Sequence, residues 1–183
     1  MSKSHVAILS LSALAALSSC VGFPERAVDP ILAIEEARST PLRVKVDLAR
    51  GRRWELGWGA VAVYDAATNR PIRRIPLEGA NLTSARGACL PDLVLDRAGA
   101  ALVSSNLQPV LWRVSPERFE VERFDLGLEH DRGRDVGFSS LTWSPDRKSL
   151  LALDASTRTP WRIDMAALKA SRVDAGAAAA GSC

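Results

Sequence analysis

The loop around His130 is where side chains able to do acid-base or metal chemistry stand closest together in the sequence. Residues 129–135 read EHDRGRD, so three carboxylates surround one imidazole. Such a set could ligate a divalent cation, or the acids could orient His130 as a general base. Both interpretations need a second histidine or a nucleophile at a usable spacing, and the other histidine, His5, belongs to an apolar N-terminal segment. We therefore interpret 129–135 as a solvated loop and predict no catalytic, metal-ligating or cofactor-binding residue.

Cysteines occur at positions 20, 89 and 183. If the first is modified as argued below, Cys89 and Cys183 remain as a candidate disulfide in an oxidising compartment. This bridge would close a loop of about 95 residues, which contributes roughly 4 kcal/mol in the chain-entropy model. It would also tie the flexible Ala/Gly tail, residues 176–183, to the rest of the chain. The alternative is that Cys89 is a small buried apolar residue and Cys183 an incidental terminus.

The N-terminal segment has the pattern of a secretory signal. Lys3 supplies a positive charge, and residues 6–17, VAILSLSALAAL, are an apolar run. A membrane-spanning helix needs about 20 apolar residues, so this run is too short to span and is typical of the core of a signal peptide.

The end of this segment, LSSC at residues 17–20, resembles the lipobox of bacterial lipoproteins. In that family an aliphatic residue three before the cysteine and a small residue next to it direct diacylation, and Leu17 and Ser19 match those places. The resemblance implies that residues 1–19 are a signal peptide and that Cys20 is lipidated. Val21 then resembles the pattern of outer-membrane lipoproteins that face the periplasm. There are two alternatives: an ordinary secretory signal with an incidental cysteine, or an N-terminal anchor that is not cleaved.

Residues 20–40 are predicted to be a tether containing one short helix, with Asp29 as its cap and Pro30 at its first position. Beyond the tether the composition is that of a globular domain, with 47% hydrophobic and 25% charged residues in the whole chain. Without Lys3, 23 basic residues face 21 acidic ones, and the two signs alternate, as in 117–123, instead of forming a basic stripe. We therefore expect no nucleic-acid partner.

A repeated pattern of short strands organises residues 41–175. The stretch 138–174 alternates four strand-like segments with turns, of which SPDR at 144–147 is the clearest. A copy lies upstream at 90–126. The matches, at a shift of 48 residues that becomes 49 after one inserted residue, are Leu93 on Leu141, Leu102 on Leu150, Val103 on Leu151, Asn106 on Asp154, and then Trp112 on Trp161.

A weaker first copy spans residues 41–78, with strands predicted at 54–58, 60–65 and 72–77. Before them, apolar residues alternate with polar ones from Leu42 to Leu48, which predicts a strand with Val44 and Val46 on a covered face. The chain therefore carries three units of four strands each.

Two stretches of these repeats resemble known propellers. Residues 142–153, TWSPDRKSLLAL, resemble TolB-like and WD40-type blades, although Arg147 stands where those families usually have glycine. Residues 61–77, VAVYDAATNRPIRRIPL, resemble YVTN-type bacterial propellers. The resemblance implies an all-β, β-propeller-like fold of about three four-stranded antiparallel blades.

The resemblance also suggests candidate site residues. Some such propellers are metal-dependent lactonases that use carboxylates near the central channel, and Asp92, Asp96, Asn106 or Asp154 would be the counterparts here. Their spacing equally suits turns. The equivalent residues Trp112 and Trp161 could form a stacking surface, but we expect them in the core between sheets.

Three blades leave two open sheet edges, since propellers close with typically four to eight. Four arrangements would account for the open edges: a homodimer, a cap made by the tether or the tail, an open stack of three sheets, or truncation of a longer propeller. We expect a lipid-anchored, periplasm-facing binding or scaffold protein of the bacterial outer membrane. Its partner would be another envelope protein, with Arg113 as a blade-face contact, and the chain would not be an enzyme. The alternatives are a truncated propeller fragment and a metal-dependent lactonase-like hydrolase.

Overall fold

The computed structural model describes residues 40–80, 82, 89–129 and 136–173, and these fold into strands and turns. Blade 1 comprises β1 (Arg43–Asp47), β2 (Arg52–Leu56), β3 (Ala60–Asp65) and β4 (Pro71–Pro76). Blade 2 comprises β5 (Leu93–Leu95), β6 (Ala101–Ser104), β7 (Val110–Val114) and β8 (Val121–Asp125). After β9 (Gly127–Leu128), blade 3 comprises β10 (Phe138–Trp143), β11 (Ser149–Asp154), β12 (Pro160–Asp164) and β13 (Lys169–Arg172).

Each blade is an antiparallel meander in which strands follow one another in chain order. This confirms the predicted all-β, propeller-like class with three four-stranded units. The sheet of blade 3 has one additional strand that was not predicted. This strand, β9, pairs with the outer edge of β13 in parallel orientation.

Blade 2 lies between the other two blades and buries both of its faces. One face joins blade 1 in a core that includes Trp54 and Trp112, and the other joins blade 3 in a core that includes Trp161. This is why β7, VLWRV, is nearly continuous in apolar residues, as strands covered on both faces are. Trp112 and Trp161 are both buried, so the prediction that they form intersheet core is confirmed.

The prediction that Val44 and Val46 lie on the covered face of β1 is wrong. They are 44% and 48% exposed, while Asp47 is buried. Pairing of Lys45 with Trp54 places the polar side of β1 toward blade 2. A period of two shows which residues share a face, and tertiary contacts decide which face is covered.

The outward face of blade 1 carries polar side chains beside the exposed Val44 and Val46. Arg53 and Glu55, which pair with Val46 and Val44 across β1 and β2, form an ion pair at 2.9 Å. The Arg53 guanidinium also lies 4.8 Å from the centre of the Tyr64 ring. Blade 1 therefore turns a charged surface to the side on which a preceding blade would stand.

The repeat alignment needs one correction. Val103 pairs with Trp112 and Ala152 pairs with Trp161, so the shift is already 49 residues in the second strand, and Leu102 does not correspond to Leu150. The inserted residue lies earlier, in the turn between the first two strands. The closing hydrogen bonds of these turns run from Asp96 N to Ala100 O in blade 2 and from Ser144 N to Ser149 O in blade 3.

Short polar side chains hold the turns. Asp65, at the end of β3, accepts hydrogen bonds from the backbone N–H groups of Ala67 and Thr68. In the 144–147 turn, Arg147 adopts a φ of 61°, a left-handed conformation that explains why related turns carry glycine there.

Candidate functional site

Several predicted site residues lie outside the described part of the chain: the lipidation candidate Cys20, the tail cysteine Cys183, and His130 with most of its loop. Cys89 is described, is buried and is disulfide-bonded, with a partner outside the described ranges. The Cys89–Cys183 pairing therefore stays a prediction.

The buried carboxylate of Asp92 joins the three blades where their first strands meet. Its Oδ1 accepts a hydrogen bond from Arg43 Nε of blade 1 at 3.2 Å and from its neighbouring Leu93 N at 2.8 Å. Its Oδ2 accepts from Leu141 N of blade 3 at 2.7 Å. Ser104 Oγ accepts from the backbone N–H of Asp92 itself. Both carboxylate oxygens are thus engaged in holding blades together, and Asp92 is not a turn residue.

A second junction joins blades 2 and 3 around Cys89. Its backbone N–H donates to Ala155 O at 2.8 Å, and its carbonyl accepts from Asn106 Nδ2 at 3.0 Å. Next to this contact, Gly137 lies against the backbone of Asn106, where a Cβ on Gly137 would stand 2.0 Å from the Asn106 carbonyl carbon. Asn106 therefore has a structural role.

Asp96 and Asp154 act as turn residues, in agreement with the alternative role that their spacing suggested. Asp96 Oδ1 accepts from Ala100 N at 2.8 Å, while its Oδ2 faces Arg113 Nη2 at 3.3 Å. Asp154 Oδ1 accepts from Ser156 N at 2.8 Å. Among the residues that the structure describes, no group of three or more His, Cys, Asp or Glu side chains could hold a metal ion.

A cleft of about 620 Å³ opens between the outer strands of blades 1 and 2. Its residues come from β4 and the segment that follows it, and from β7, β8 and the turn between these two strands: Arg73, Arg74, Ile75, Pro76, Glu78, Gly79, Trp112, Phe119, Val121 and Arg123. We call this the rim cleft.

The rim cleft combines positive charge with an aromatic wall. Arg73 and Arg123 lie on the sides of β4 and β8 that face the space between the two blades, and one glutamate, Glu78, also lines the cleft, a balance of +1. The wall is held in place because Trp112 Nε1 donates to Glu78 O at 3.2 Å and Phe119 packs edge-on against Trp54, 6.2 Å between ring centres. Guanidinium groups bind carboxylates with directed hydrogen bonds, so the cleft suits an anionic ligand with an extended or flat body.

The rim cleft was not predicted from the sequence. The signal that was present is the pair Arg73 and Arg74 in an outer strand, 49 residues before Glu122 and Arg123 in the next copy. Neighbouring arginines in a solvated strand are ordinary, so the pattern alone does not indicate a site.

Comparison with known proteins gives the fold. Hydrazine synthase of Kuenenia stuttgartiensis matches over 72% of this chain and 34% of its own, with a TM-score of 0.53 and 14% sequence identity. Dihydro-heme d1 dehydrogenase NirN, solved in complex with DHE, matches over 72% of this chain and 27% of its own, with a TM-score of 0.49 and 15% identity. Hydrazine synthase is a β-propeller protein. The chain has a β-propeller-like fold.

At such low identity the likeness concerns the fold alone, and the chain spans about a third of the length of the hydrazine synthase chain. No family model and no curated protein matches the sequence. Within the described residues, the structure has no helix long and apolar enough to cross a membrane.

Proposed function

We propose that this protein is a lipid-anchored, periplasm-facing binding or scaffold protein of the bacterial envelope. The observation that carries the proposal is the use of the buried carboxylate of Asp92, which holds three blades together instead of meeting a substrate. Asp96, Asn106 and Asp154 likewise hydrogen-bond within the fold. These four polar side chains are used to hold the fold together. A propeller-like scaffold of this kind is suited to bind a partner on its surface, since one fold can carry different functional sites.

The location rests on the sequence of residues 17–20. Diacylation at Cys20 would place two acyl chains in a membrane, and each buried methylene contributes about 0.8 kcal/mol to anchoring. The folded blades would then be held at the membrane surface, where a partner in the envelope is close at hand.

The experiment is expression of the full chain in a Gram-negative bacterium, followed by membrane fractionation and mass spectrometry of the N-terminal peptide. We expect a diacylated Cys20 in the outer-membrane fraction and, after cross-linking in cells, co-purification of one envelope protein. The matched control is Cys20→Ala, which should retain the folded blades and lose the membrane fraction. Unmodified Cys20 in the wild type would refute the anchor, and the absence of any specific cross-linked partner would refute the binding role.

Arg113 is a poor probe of that partner. Its Nη2 lies 3.3 Å from Asp96 Oδ2, so Arg113→Glu would set two carboxylates against each other and weaken blade 2 itself. Arg162, exposed on the outward side of blade 3, is a suitable control position for substitutions of blade-face arginines.

A further inference from the structure

The outer edge of blade 3 shows how this fold accepts an added strand. β9 lies beside β13 in parallel, and Gly127 N donates to Leu168 O at 2.9 Å while Glu129 N donates to Ala170 O at 3.0 Å. The linker that enters blade 3 thus covers the edge of the last strand of that same blade.

The equivalent linker of blade 2 does not do this. The repeat shift of 49 residues sets Leu77 on Leu126, so Glu78 and Gly79 correspond to β9. Instead of extending, these residues turn: Ala80 N donates to Leu77 O at 3.1 Å, and Gly79 has a φ of 68°. The rim cleft lies at this place, and in the described chain no strand pairs with the outer edge of β8.

The backbone of β8 has hydrogen-bonding groups directed to that edge. Ser115 N donates to Glu120 O and Leu126 N donates to Pro109 O, so the even-numbered residues bond into blade 2. Because N–H and C=O groups alternate in direction along a strand, those of Val121 and Arg123 point the other way, to the rim cleft. They correspond to Ala170 and Arg172 of blade 3, the first of which accepts the bond from Glu129.

Charge indicates what kind of strand would fit. Side chains of a peptide added at β8 would meet the arginines of the rim cleft. Arg123 is paired with Asp125 at 2.6 Å, but the two side chains are 45% and 73% exposed, so the pair contributes little and can be exchanged for a ligand carboxylate. The half-buried Phe119 and the exposed Val121 offer apolar surface for the intervening residues.

We propose that the rim cleft binds an extended acidic segment of a partner protein, which adds to β8 as a strand in the place that β9 occupies in blade 3. Main-chain hydrogen bonds to Val121 and Arg123 hold the segment, and its carboxylates pair with Arg73 and Arg123. This assignment rests on the proposed binding function and names the chemistry of the partner.

The test uses the intact purified protein and a fluorescein-labelled peptide of about six residues, an ordinary strand length, in which Glu and Val alternate. Fluorescence anisotropy gives its Kd. Two control peptides have Lys in place of Glu, or methylated backbone nitrogens at every second position. We expect the acidic peptide to bind and both controls to be at least about tenfold weaker, since one removes charge complementarity and the other removes strand pairing.

Protein variants separate the two contributions. Arg73→Glu reverses one cleft charge, and Val121→Pro removes an outward N–H that blade 2 does not use. Each should weaken binding at least about tenfold, whereas Arg162→Glu, the matched control on blade 3, should leave the Kd unchanged. Circular dichroism confirms that each variant is folded, and the methylated peptide tests strand addition even if Val121→Pro does not fold.

The outcomes are distinct. Equal binding of the methylated and unmethylated peptides would overturn strand addition. Lack of binding by the acidic peptide, while the chain still cross-links to an envelope protein, would overturn the rim cleft as the docking place and leave the proposed function standing. Lack of both would overturn both.

Discussion

The carboxylate of Asp92 and the backbone N–H of Leu141 meet at 2.7 Å, so a side chain just before the first strand of blade 2 ends on the first strand of blade 3. Since Arg43 reaches the same carboxylate from blade 1, one buried group connects all three sheets. Hydrogen bonds to a buried charge contribute more than neutral ones, and the partners would be left unsatisfied without it.

Substitution of Asp92 therefore tests whether the blades depend on this contact. We expect Asp92→Ala to lower the free energy of unfolding by about 3 kcal/mol, because Leu93 N, Leu141 N and the Arg43 guanidinium lose their acceptor. Urea unfolding followed by tryptophan fluorescence measures the change. Asp125→Ala, which removes an exposed carboxylate, should cost no more than about 1 kcal/mol. Equal losses in the two variants would contradict the role of Asp92.

Gly137 tests the packing of blade 3 against blade 2. A methyl group there would meet the backbone of Asn106 and Leu107, which cannot move aside as a side chain can. We expect Gly137→Ala to lower the free energy of unfolding by about 3 kcal/mol or to prevent folding, as overpacking against backbone does. The control is Gly57→Ala, where the nearest atom would be 3.7 Å from the new Cβ. Thermal unfolding of both proteins gives the comparison, and similar melting temperatures would refute the close contact.

Acid should weaken the turn at Asp65. The backbone N–H and then the hydroxyl of Thr68 donate to this carboxylate and lower its pKa below the ordinary value of 3.8. A folded-state pKa below the unfolded one means that the carboxylate stabilises the fold above pH 3.8, and that this stabilisation is lost as the pH falls through the folded value. Asp146 behaves alike, because hydrogen bonds from Ser144 Oγ and Lys148 N lower its pKa.

The measurement is the melting temperature as a function of pH, from about pH 6 to about pH 2. Asp65→Asn keeps an oxygen acceptor for the turn but does not titrate, so its melting temperature should fall less steeply over this range than that of the wild type. Adding Asp146→Asn should flatten the dependence further. A slope unchanged in the double variant would show that these carboxylates do not contribute to acid sensitivity.

The predicted Cys89–Cys183 disulfide can be tested chemically. Peptide mapping without reduction, on protein made in the periplasm, should recover the two cysteines in one linked peptide. In Cys183→Ser, alkylation after unfolding should find Cys89 as a free thiol. Loss of a bridge that closes about 95 residues should also cost up to roughly 4 kcal/mol. Recovery of Cys89 linked to Cys20 would contradict the pairing and, with it, lipidation of Cys20.

Light scattering after size exclusion, on residues 21–183 made as a soluble periplasmic protein, tests the homodimer that the open blade edges suggest. We expect a monomer, because a second copy packed on the outward face of blade 1 would bury the Arg53–Glu55 ion pair at a desolvation cost. A monodisperse dimer would show instead that two copies close one ring.

The repeat architecture could be predicted because it is encoded locally. Strand β3 was predicted at 60–65 and is observed there, since alternating apolar residues lie between turn residues. The two-residue strand β9 has no such pattern and exists through its contact with β13. The rim cleft could not be predicted from the sequence for a related reason. The turn at Gly79 decides whether the linker covers β8, and glycine can adopt both the extended and the turned conformation.

The Arg53–Glu55 ion pair affects whether another blade could pack against the outward face of blade 1. The shift between the first two copies is 50 residues in the third strand, so Ala62 occupies the place of Trp112, whose ring packs on the preceding blade. Terminal units of repeat proteins commonly carry a polar outer surface that ends the stack. The ion pair gives part of the outward face of blade 1 this polar character. A gene duplication that placed another blade before it would need to replace the ion pair and restore a large side chain at position 62, whereas duplication of blade 2 would insert a unit already apolar on both faces.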